Sequence, residues 1–136
     1  MAYKKGKRTK KKLSTADYRF TLLVDYVLER MDIGVYESDR TTKRQMLMFK
    51  NGKSQLDGIK KLSKHQISKK YPLSRAIDAF PYKKGLNVFL MCSESIKLWE
   101  KMNDLFYEAS IALNIPIIQG YKWSFKDHPH QELANV

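Results

Sequence analysis

Two short stretches contain all three histidines of the chain, together with carboxylates. His65 and Asp78 lie at the two ends of the first stretch, and Asp127, His128 and His130 lie in the second. Asp78 falls within an apolar, strand-like run, where an unpaired carboxylate would be costly. Two imidazole nitrogens and one carboxylate oxygen can form a three-ligand zinc site, and catalytic zinc keeps its fourth position open for water. The pattern therefore indicates a zinc site.

Hydrolysis at zinc also needs a carboxylate that takes a proton and returns it. Asp127 and His130 are three residues apart, so one can bind the metal while the other reaches the reacting water. His128 precedes Pro129, which suggests an exposed turn, and His130 is therefore the preferred ligand. Arg40 is a candidate to polarise the substrate carbonyl or hold its carboxylate, because a guanidinium keeps its charge and offers a planar fork of donors.

The elements that must position these residues follow from the spacing of apolar side chains. Helices are predicted over about 15–31, 43–50 and 94–113. Strands are predicted at about 33–37, 75–80, 115–118 and 130–133. We therefore predict an α+β fold, in which a small, mainly antiparallel sheet carries the zinc site and packs against about three helices. The apolar residues of the second helix are expected in the core: Met46, Leu47 and Phe49.

Length and charge set the remaining limits. With 136 residues the chain is expected to form a basic, flexible N-terminal arm over 1–13 and a single domain over 14–136 that carries the zinc site. The one cysteine, Cys92, excludes an internal disulfide. No apolar run approaches the ~20 residues that cross a bilayer. The net charge of +12 predicts attraction to polyanions such as nucleic acid, anionic lipid or cell-wall polymer.

Several motifs, in order from about residue 15, resemble those of a known family. They are Arg40-Thr41, Arg44-Gln45, Asn51-Gly52-Lys53-Ser54, Ser63-Lys64-His65, the run from Ala76 to Tyr82, Trp123, and Asp127-x-x-His130-x-Glu132-Leu133. Together they are similar to the VanY-type zinc peptidases, and above all to the small phage endolysins that act as L-alanyl-D-glutamate peptidases. In that family six residues including a glycine usually separate the His from the Asp. Here twelve residues separate them and no glycine is present, so residues 67–75 resemble an inserted basic loop.

The resemblance implies a role for each matched position. His65, Asp78 and His130 would bind Zn²⁺, and Asp127 would be the catalytic base. Three further residues would act on the substrate, with Arg40 steadying the developing oxyanion, Ser63 supporting the substrate or the site's hydrogen bonds, and Trp123 lining the cleft. Each of these three has a purely structural alternative: an ion pair of Arg40 with Glu37 or Asp39, a turn hydroxyl for Ser63, and packing for Trp123.

The expected function is a zinc-dependent peptidoglycan peptidase that cleaves the L-alanyl-D-glutamate bond of stem peptides during phage-induced host cell lysis. Alternatives are a D,D-carboxypeptidase on the same wall peptides, a non-enzymatic basic nucleic-acid-binding protein, and an inactive relative kept as a virion part. The expected partners are bacterial peptidoglycan and, through the basic surface, anionic cell-wall polymers, with no specific nucleic acid. We expect a monomer without a transmembrane segment, which stays in the host cytoplasm until the membrane is permeabilised and then reaches the wall.

Overall fold

The computed structural model describes residues 2–136. The helices are α1 Lys7–Leu13, α2 Arg19–Leu28, α3 Thr42–Lys50 and α4 Ser93–Leu113. The strands are β1 Ile33–Glu37, β2 Ala76–Pro81, β3 Ile117–Gln119 and β4 His130–Leu133, and a short 3₁₀ helix, Gly120–Lys122, follows β3. This arrangement confirms the predicted α+β class, with four α-helices in place of about three. Within the described residues, no helix combines the length and the apolar character that a membrane crossing requires.

The four strands form one sheet in the order β1-β2-β4-β3, and every neighbouring pair is antiparallel. A single cluster of buried apolar side chains joins α2 and α4 to the sheet. Phe20 of α2, Trp99 and Phe106 of α4 and Ile77 of β2 are all fully buried within it. Burial of large apolar side chains of this kind provides most of the driving force for folding. Helices α2 and α4 therefore pack against one face of the sheet.

The register of the central strands sets the position of the polar residues. Asp78 of β2 lies opposite His130 of β4 on one side and opposite Glu37 of β1 on the other. Because side chains alternate along a strand, Ile77 and Ala79 enter the core while Asp78 lies on the opposite face. The sheet thus has an apolar face for packing and a polar face that carries the site.

Residues 7–13, which were expected to belong to a flexible arm over 1–13, form helix α1. The Thr9 hydroxyl accepts a hydrogen bond from the backbone N–H of Val35 at 3.1 Å, and Leu13 is buried in the core. The lysines of α1 point mostly outward, so the helix has a packing face that the run of positive charge conceals in the sequence. The first predicted helix, over 15–31, is shorter in the structure, where α2 covers Arg19–Leu28. The single domain over 14–136 stays a prediction.

Helix α3 corrects a second expectation. Met46, Leu47 and Phe49 are 46, 50 and 47% exposed, so they are not core residues. The buried residue of α3 is Gln45. Its side-chain amide donates to the Leu56 carbonyl at 2.6 Å. The helix is therefore attached to the fold through a buried amide, and its apolar side chains are left on the surface.

The segment between Lys64 and Arg75 forms an excursion whose two ends are joined by a backbone hydrogen bond. The backbone N–H of Arg75 donates to the carbonyl of Lys64 at 2.9 Å, so the chain leaves the site and returns to the same place. Within the excursion, Ser68 and Tyr71 form a turn, and the Arg75 guanidinium stacks 3.5 Å above the Tyr71 ring centroid. The extra residues therefore extend outward without separating His65 from Asp78.

Candidate metal centre

Three buried side chains from three parts of the chain meet on the polar face of the sheet. His65 comes from the loop before the excursion, Asp78 from β2 and His130 from β4. His65 Nε2 lies 3.2 Å from Asp78 Oδ1 and 3.2 Å from His130 Nδ1, and His130 Nδ1 lies 3.5 Å from Asp78 Oδ1. The structure thus brings together the three residues that were predicted as ligands.

The outer nitrogen of His65 is fixed by a backbone carbonyl. Nδ1 of His65 lies 2.7 Å from the carbonyl oxygen of Ser38, and a carbonyl only accepts, so Nδ1 carries the proton. In the neutral ring, Nε2 then has a free lone pair directed at Asp78 and His130. The Ser74 hydroxyl also donates to the Ser38 carbonyl, at 2.8 Å, and holds that acceptor in place.

The outer nitrogen of His130 is fixed by a carboxylate. Nε2 of His130 donates to Oε1 of Glu132 at 2.8 Å, which leaves Nδ1 facing the cluster. The other Glu132 oxygen is 3.0 Å from the Lys64 ammonium. Burial alone would raise the pKa of Glu132, but the contacts with His130 and Lys64 outweigh burial and lower it. Glu132 is therefore a charged acceptor that sets the orientation of the His130 ring.

This donor set fits a zinc ion. Two imidazole lone pairs and one carboxylate oxygen face a common point, where they would repel one another unless a positive charge lay between them. Histidine and aspartate are usual zinc ligands, and outer acceptors of the Ser38 and Glu132 kind orient such ligands in metal sites. Three protein ligands leave a fourth position for the reaction.

In the metal-free protein a proton supplies part of this positive charge. Burial disfavours the charged form of His130, but hydrogen bonds to Asp78 and Glu132 outweigh it and raise its pKa to about 9. Burial likewise acts to raise the pKa of Asp78, but the nearby His65 and His130 hold it far below its ordinary value. The cluster is thus built around an ionised carboxylate and a cation.

Asp127 lies beside the cluster on the turn that precedes β4. Its backbone N–H donates to the Gly120 carbonyl at 3.0 Å, and its own carbonyl accepts from the His130 N–H at 3.3 Å. Burial, and next the charge of Asp78, raise the pKa of Asp127, while His130 and His65 act in the opposite direction. A half-buried carboxylate of raised pKa within the field of the cluster has the properties of a general base.

Arg40 is buried rather than exposed. Its Nε donates to Oε1 of Glu37 at 2.9 Å and its Nη1 donates to Oε1 of Gln45 at 2.6 Å. The predicted ion pair with Glu37 is therefore present, but it lies inside the protein, where Arg40 is only 6% exposed. The positive charge of Arg40 still reaches Asp127 and acts to lower its pKa.

Ser63 and Trp123 each contact one of the two clustered histidines. The buried Ser63 hydroxyl accepts from the backbone N–H of His65 at 3.2 Å, which is the turn contact expected of its structural alternative. The Trp123 ring is 40% exposed, and its centroid lies 5.0 Å from that of the His130 ring. The contacts of both residues with a substrate stay predictions.

The third histidine is not part of the cluster. The His128 ring packs edge-on against Trp99 and Tyr121, with centroids 5.9 and 5.4 Å apart. Its backbone carbonyl accepts from the buried amide of Asn103 at 3.1 Å. His128 therefore helps to fix the turn that carries Asp127.

Sequence reasoning assigned no role to several residues that support the site. Glu132 lies two residues after His130 in a strand, and period-two alternation places both on one face, so this contact could have been inferred. The contact of Lys64 with Glu132 could not, because nothing local indicates that the two residues meet. The contacts of Asn103 and Gln45 could not have been inferred either, because their partners are distant in the sequence.

Comparisons with known proteins give a family match and a shared fold. The family model described as phage L-alanyl-D-glutamate peptidase matches residues 1–135. A search of curated proteins gave no match. Among solved structures, the L-Ala D-Glu endopeptidase ChiX of Serratia marcescens superposes with a TM-score of 0.74. The match covers 94% of this chain and 87% of that one at 21% sequence identity, which shows a shared fold.

Proposed function

The chain belongs to the family of phage L-alanyl-D-glutamate peptidases and is a peptidoglycan peptidase, and we propose that it is a zinc enzyme whose ligands are His65, Asp78 and His130. The observation that carries this proposal is the geometry of the two imidazoles. Each directs one nitrogen at Asp78 and has its other nitrogen bound to a protein acceptor, Ser38 or Glu132.

Asp127 is proposed as the general base. Zinc in the three-ligand site would polarise the scissile carbonyl and make a water molecule acidic enough to act as nucleophile near neutral pH. The Asp127 carboxylate takes the proton of the attacking water and then delivers it to the leaving amine. Its partly buried position and its two backbone hydrogen bonds hold the carboxylate in one place for both transfers.

The remaining predicted site residues are proposed to orient the substrate. Arg40 contributes a fixed positive charge next to Asp127, because its guanidinium is clamped by Glu37 and Gln45 and cannot swing away. Such a preorganised charge can stabilise the developing oxyanion. Trp123 offers an exposed ring next to His130 for contact with the stem peptide. Ser63 supports the loop that carries His65.

The proposed setting is the lysis of a host cell at the end of phage growth, with the L-alanyl-D-glutamate bond as the target. A net charge of +12 favours retention on anionic wall polymers. We further propose that the monomeric enzyme remains in the host cytoplasm until the membrane is permeabilised. The family match favours the endopeptidase over the D,D-carboxypeptidase and over a nucleic-acid-binding protein.

The metal assignment is tested by elemental analysis of purified protein. We expect about one zinc per chain in the wild type and loss of that zinc in His65→Ala. His128→Gln is the matched control, since it also removes an imidazole but leaves the cluster intact, and it should retain zinc. Release of new amino termini from purified peptidoglycan is measured in parallel. Wild-type protein that refuses zinc and leaves the wall uncut would refute the proposal.

The role of Asp127 is tested separately from metal binding. Asp127→Asn keeps the size of the side chain but removes the base, so zinc content should persist while cleavage falls by about 10²–10⁴-fold. Loss of zinc together with activity would instead indicate that Asp127 acts on the metal site. Cleavage at the wild-type rate would exclude Asp127 as the base.

A further inference from the structure

A peptide bond between alanine and glutamate has a chemical consequence for the site that cuts it. The glutamate supplies the leaving amine, and one of its two carboxyl groups continues the peptide. The other is a free carboxylate close to the scissile nitrogen. An enzyme that brings such a substrate next to the carboxylates of Asp78 and Asp127 must offset the repulsion between these like charges.

A cleft beside Asp127 contains positively charged side chains that could offset this repulsion. It has a volume of about 280 Å³, and its apolar wall includes Tyr36, Phe89 and Phe125. Among the residues that the structure describes, Asp127 is the only carboxylate that lines it. Two lysines, Lys53 and Lys126, also line it and come from different loops. The cleft therefore combines the proposed base with two positive charges on an apolar background.

Neither lysine is neutralised by an acidic residue. Within residues 2–136, the Lys53 ammonium forms no ion pair, although its backbone is fixed by a hydrogen bond from its N–H to the Met48 carbonyl at 2.8 Å. The Lys126 ammonium lies 4.4 Å above the Tyr121 ring centroid and donates to the Tyr121 carbonyl at 2.9 Å. Both charges remain available to an anionic ligand. The Arg40 guanidinium already binds Glu37 and Gln45, so it is not free to bind a second carboxylate directly.

We propose that Lys53 and Lys126 form a carboxylate subsite that binds the free carboxylate of the glutamate on the leaving side of the scissile bond. This inference rests on the proposed peptidase function and names the part of the substrate that the cleft recognises. The subsite selects an acidic residue next to the cut and places its amine near Asp127. The apolar rings of Phe89 and Phe125 line the same cleft, so the two ammonium groups lie beside apolar surface on one side.

The test uses two synthetic stem peptides and the zinc-loaded enzyme. One peptide contains L-alanyl-D-glutamate, and in the other the free carboxylate of the glutamate is converted to an amide. The wild type should cleave the acidic peptide with a kcat/KM about tenfold higher than that of the amide, mainly through KM. The Lys53→Gln/Lys126→Gln variant should lose most of this preference. Lys84→Gln/Lys97→Gln removes the same charge from exposed positions outside the cleft and should keep the preference.

The outcomes separate the subsite from the function on which it rests. A wild type that cleaves neither peptide would overturn both proposals. Equal cleavage of both peptides by the wild type, or an undiminished preference in the Lys53→Gln/Lys126→Gln variant, would overturn the subsite and leave the peptidase standing. A variant that loses cleavage of both peptides to the same extent would also overturn the subsite, because the lysines would then not distinguish the carboxylate from the amide. Circular dichroism of each variant checks that the fold is retained.

Discussion

Gly120 lies so close to Asp127 that a β-carbon added to Gly120 would be 2.6 Å from the Asp127 carbonyl oxygen and 2.9 Å from the Asp127 β-carbon. The same added atom would be 2.9 Å from the β-carbon of His130. One residue without a side chain thus sets the position of both the proposed base and one proposed metal ligand. The contact is with backbone and β-carbons, which cannot swing aside as the end of a flexible side chain could.

We therefore expect Gly120→Ala to weaken zinc binding and to reduce cleavage. Displacement of packed backbone costs about 1–3 kcal/mol, and a shift in the turn moves Asp127 and His130 together. Zinc affinity by calorimetry and peptide cleavage are the measurements. Gly6→Ala is the matched control, because no atom lies within 4 Å of a β-carbon added there. Unaltered affinity and cleavage in Gly120→Ala would show that the turn can shift without harm to the site.

The Glu132 carboxylate is expected to determine metal affinity through His130. In Glu132→Gln an amide replaces the charged acceptor of the His130 proton and the ion pair with Lys64 is lost. Loss of such outer contacts lowers metal affinity by about 10–100-fold. A competition titration with a chelating dye measures it. The control is Glu94→Gln, which breaks the exposed ion pair with Lys83 and should bind zinc as the wild type does.

The metal-free protein should lose stability as the pH rises. The pKa of His130 is raised from 6.5 to about 9 in the folded state, so its stabilising contribution is complete below pH 6.5 and disappears as the pH passes through 9. After treatment with a chelator, the melting temperature should be lower at pH 9.5 than at pH 6.5. The decrease should be smaller in His130→Gln. A melting temperature that stays level or rises over this range would contradict the expectation.

Asn103 should contribute strongly to stability although it lies far from the metal ligands in sequence. Its amide donates to the carbonyls of Trp99 and His128, and its side-chain oxygen accepts from Gln131 at 2.8 Å. Asn103→Ala leaves buried polar groups without partners, at a cost of about 1–3 kcal/mol for each group. Urea unfolding measures the loss, and Asn51→Ala, at an exposed position, is the control. A change of less than about 0.5 kcal/mol would argue that water replaces the lost amide.

The parts of the fold that could be predicted are those with a local cause. The strands at 33–37 and 130–133 coincide with β1 and β4, because short alternating runs between turn residues indicate strands. Asn114, with a φ of 54°, ends α4 where the apolar stripe ends. The meeting of His65, Asp78 and His130 was anticipated because all three histidines fall in two short stretches with carboxylates, and because the motifs around them resemble those of zinc peptidases.

The parts that could not be predicted depend on contacts between distant residues. Thr9 joins α1 to the sheet through its hydrogen bond with the backbone of Val35, and the surrounding lysines hide this packing face in the sequence. Gln45 attaches α3 to the fold through its buried amide. The spacing of the apolar residues therefore predicted the wrong buried face for that helix. A hydrophobic pattern identifies a helix, but the burial of one polar residue can decide which side faces inward.

The excursion between Lys64 and Arg75 is a suitable site for inserting additional sequence. Because the two ends are already joined by a backbone hydrogen bond, the entropic cost of extra chain at the tip grows only slowly with its length. Lys69 and Lys70 are exposed there, and the Lys70 ammonium lies 5.3 Å from the ring centroid of its neighbour Tyr71. A wall-binding module or a fluorescent reporter could be fused at this tip, and the spacing of the proposed zinc ligands would not depend on the length of what was added.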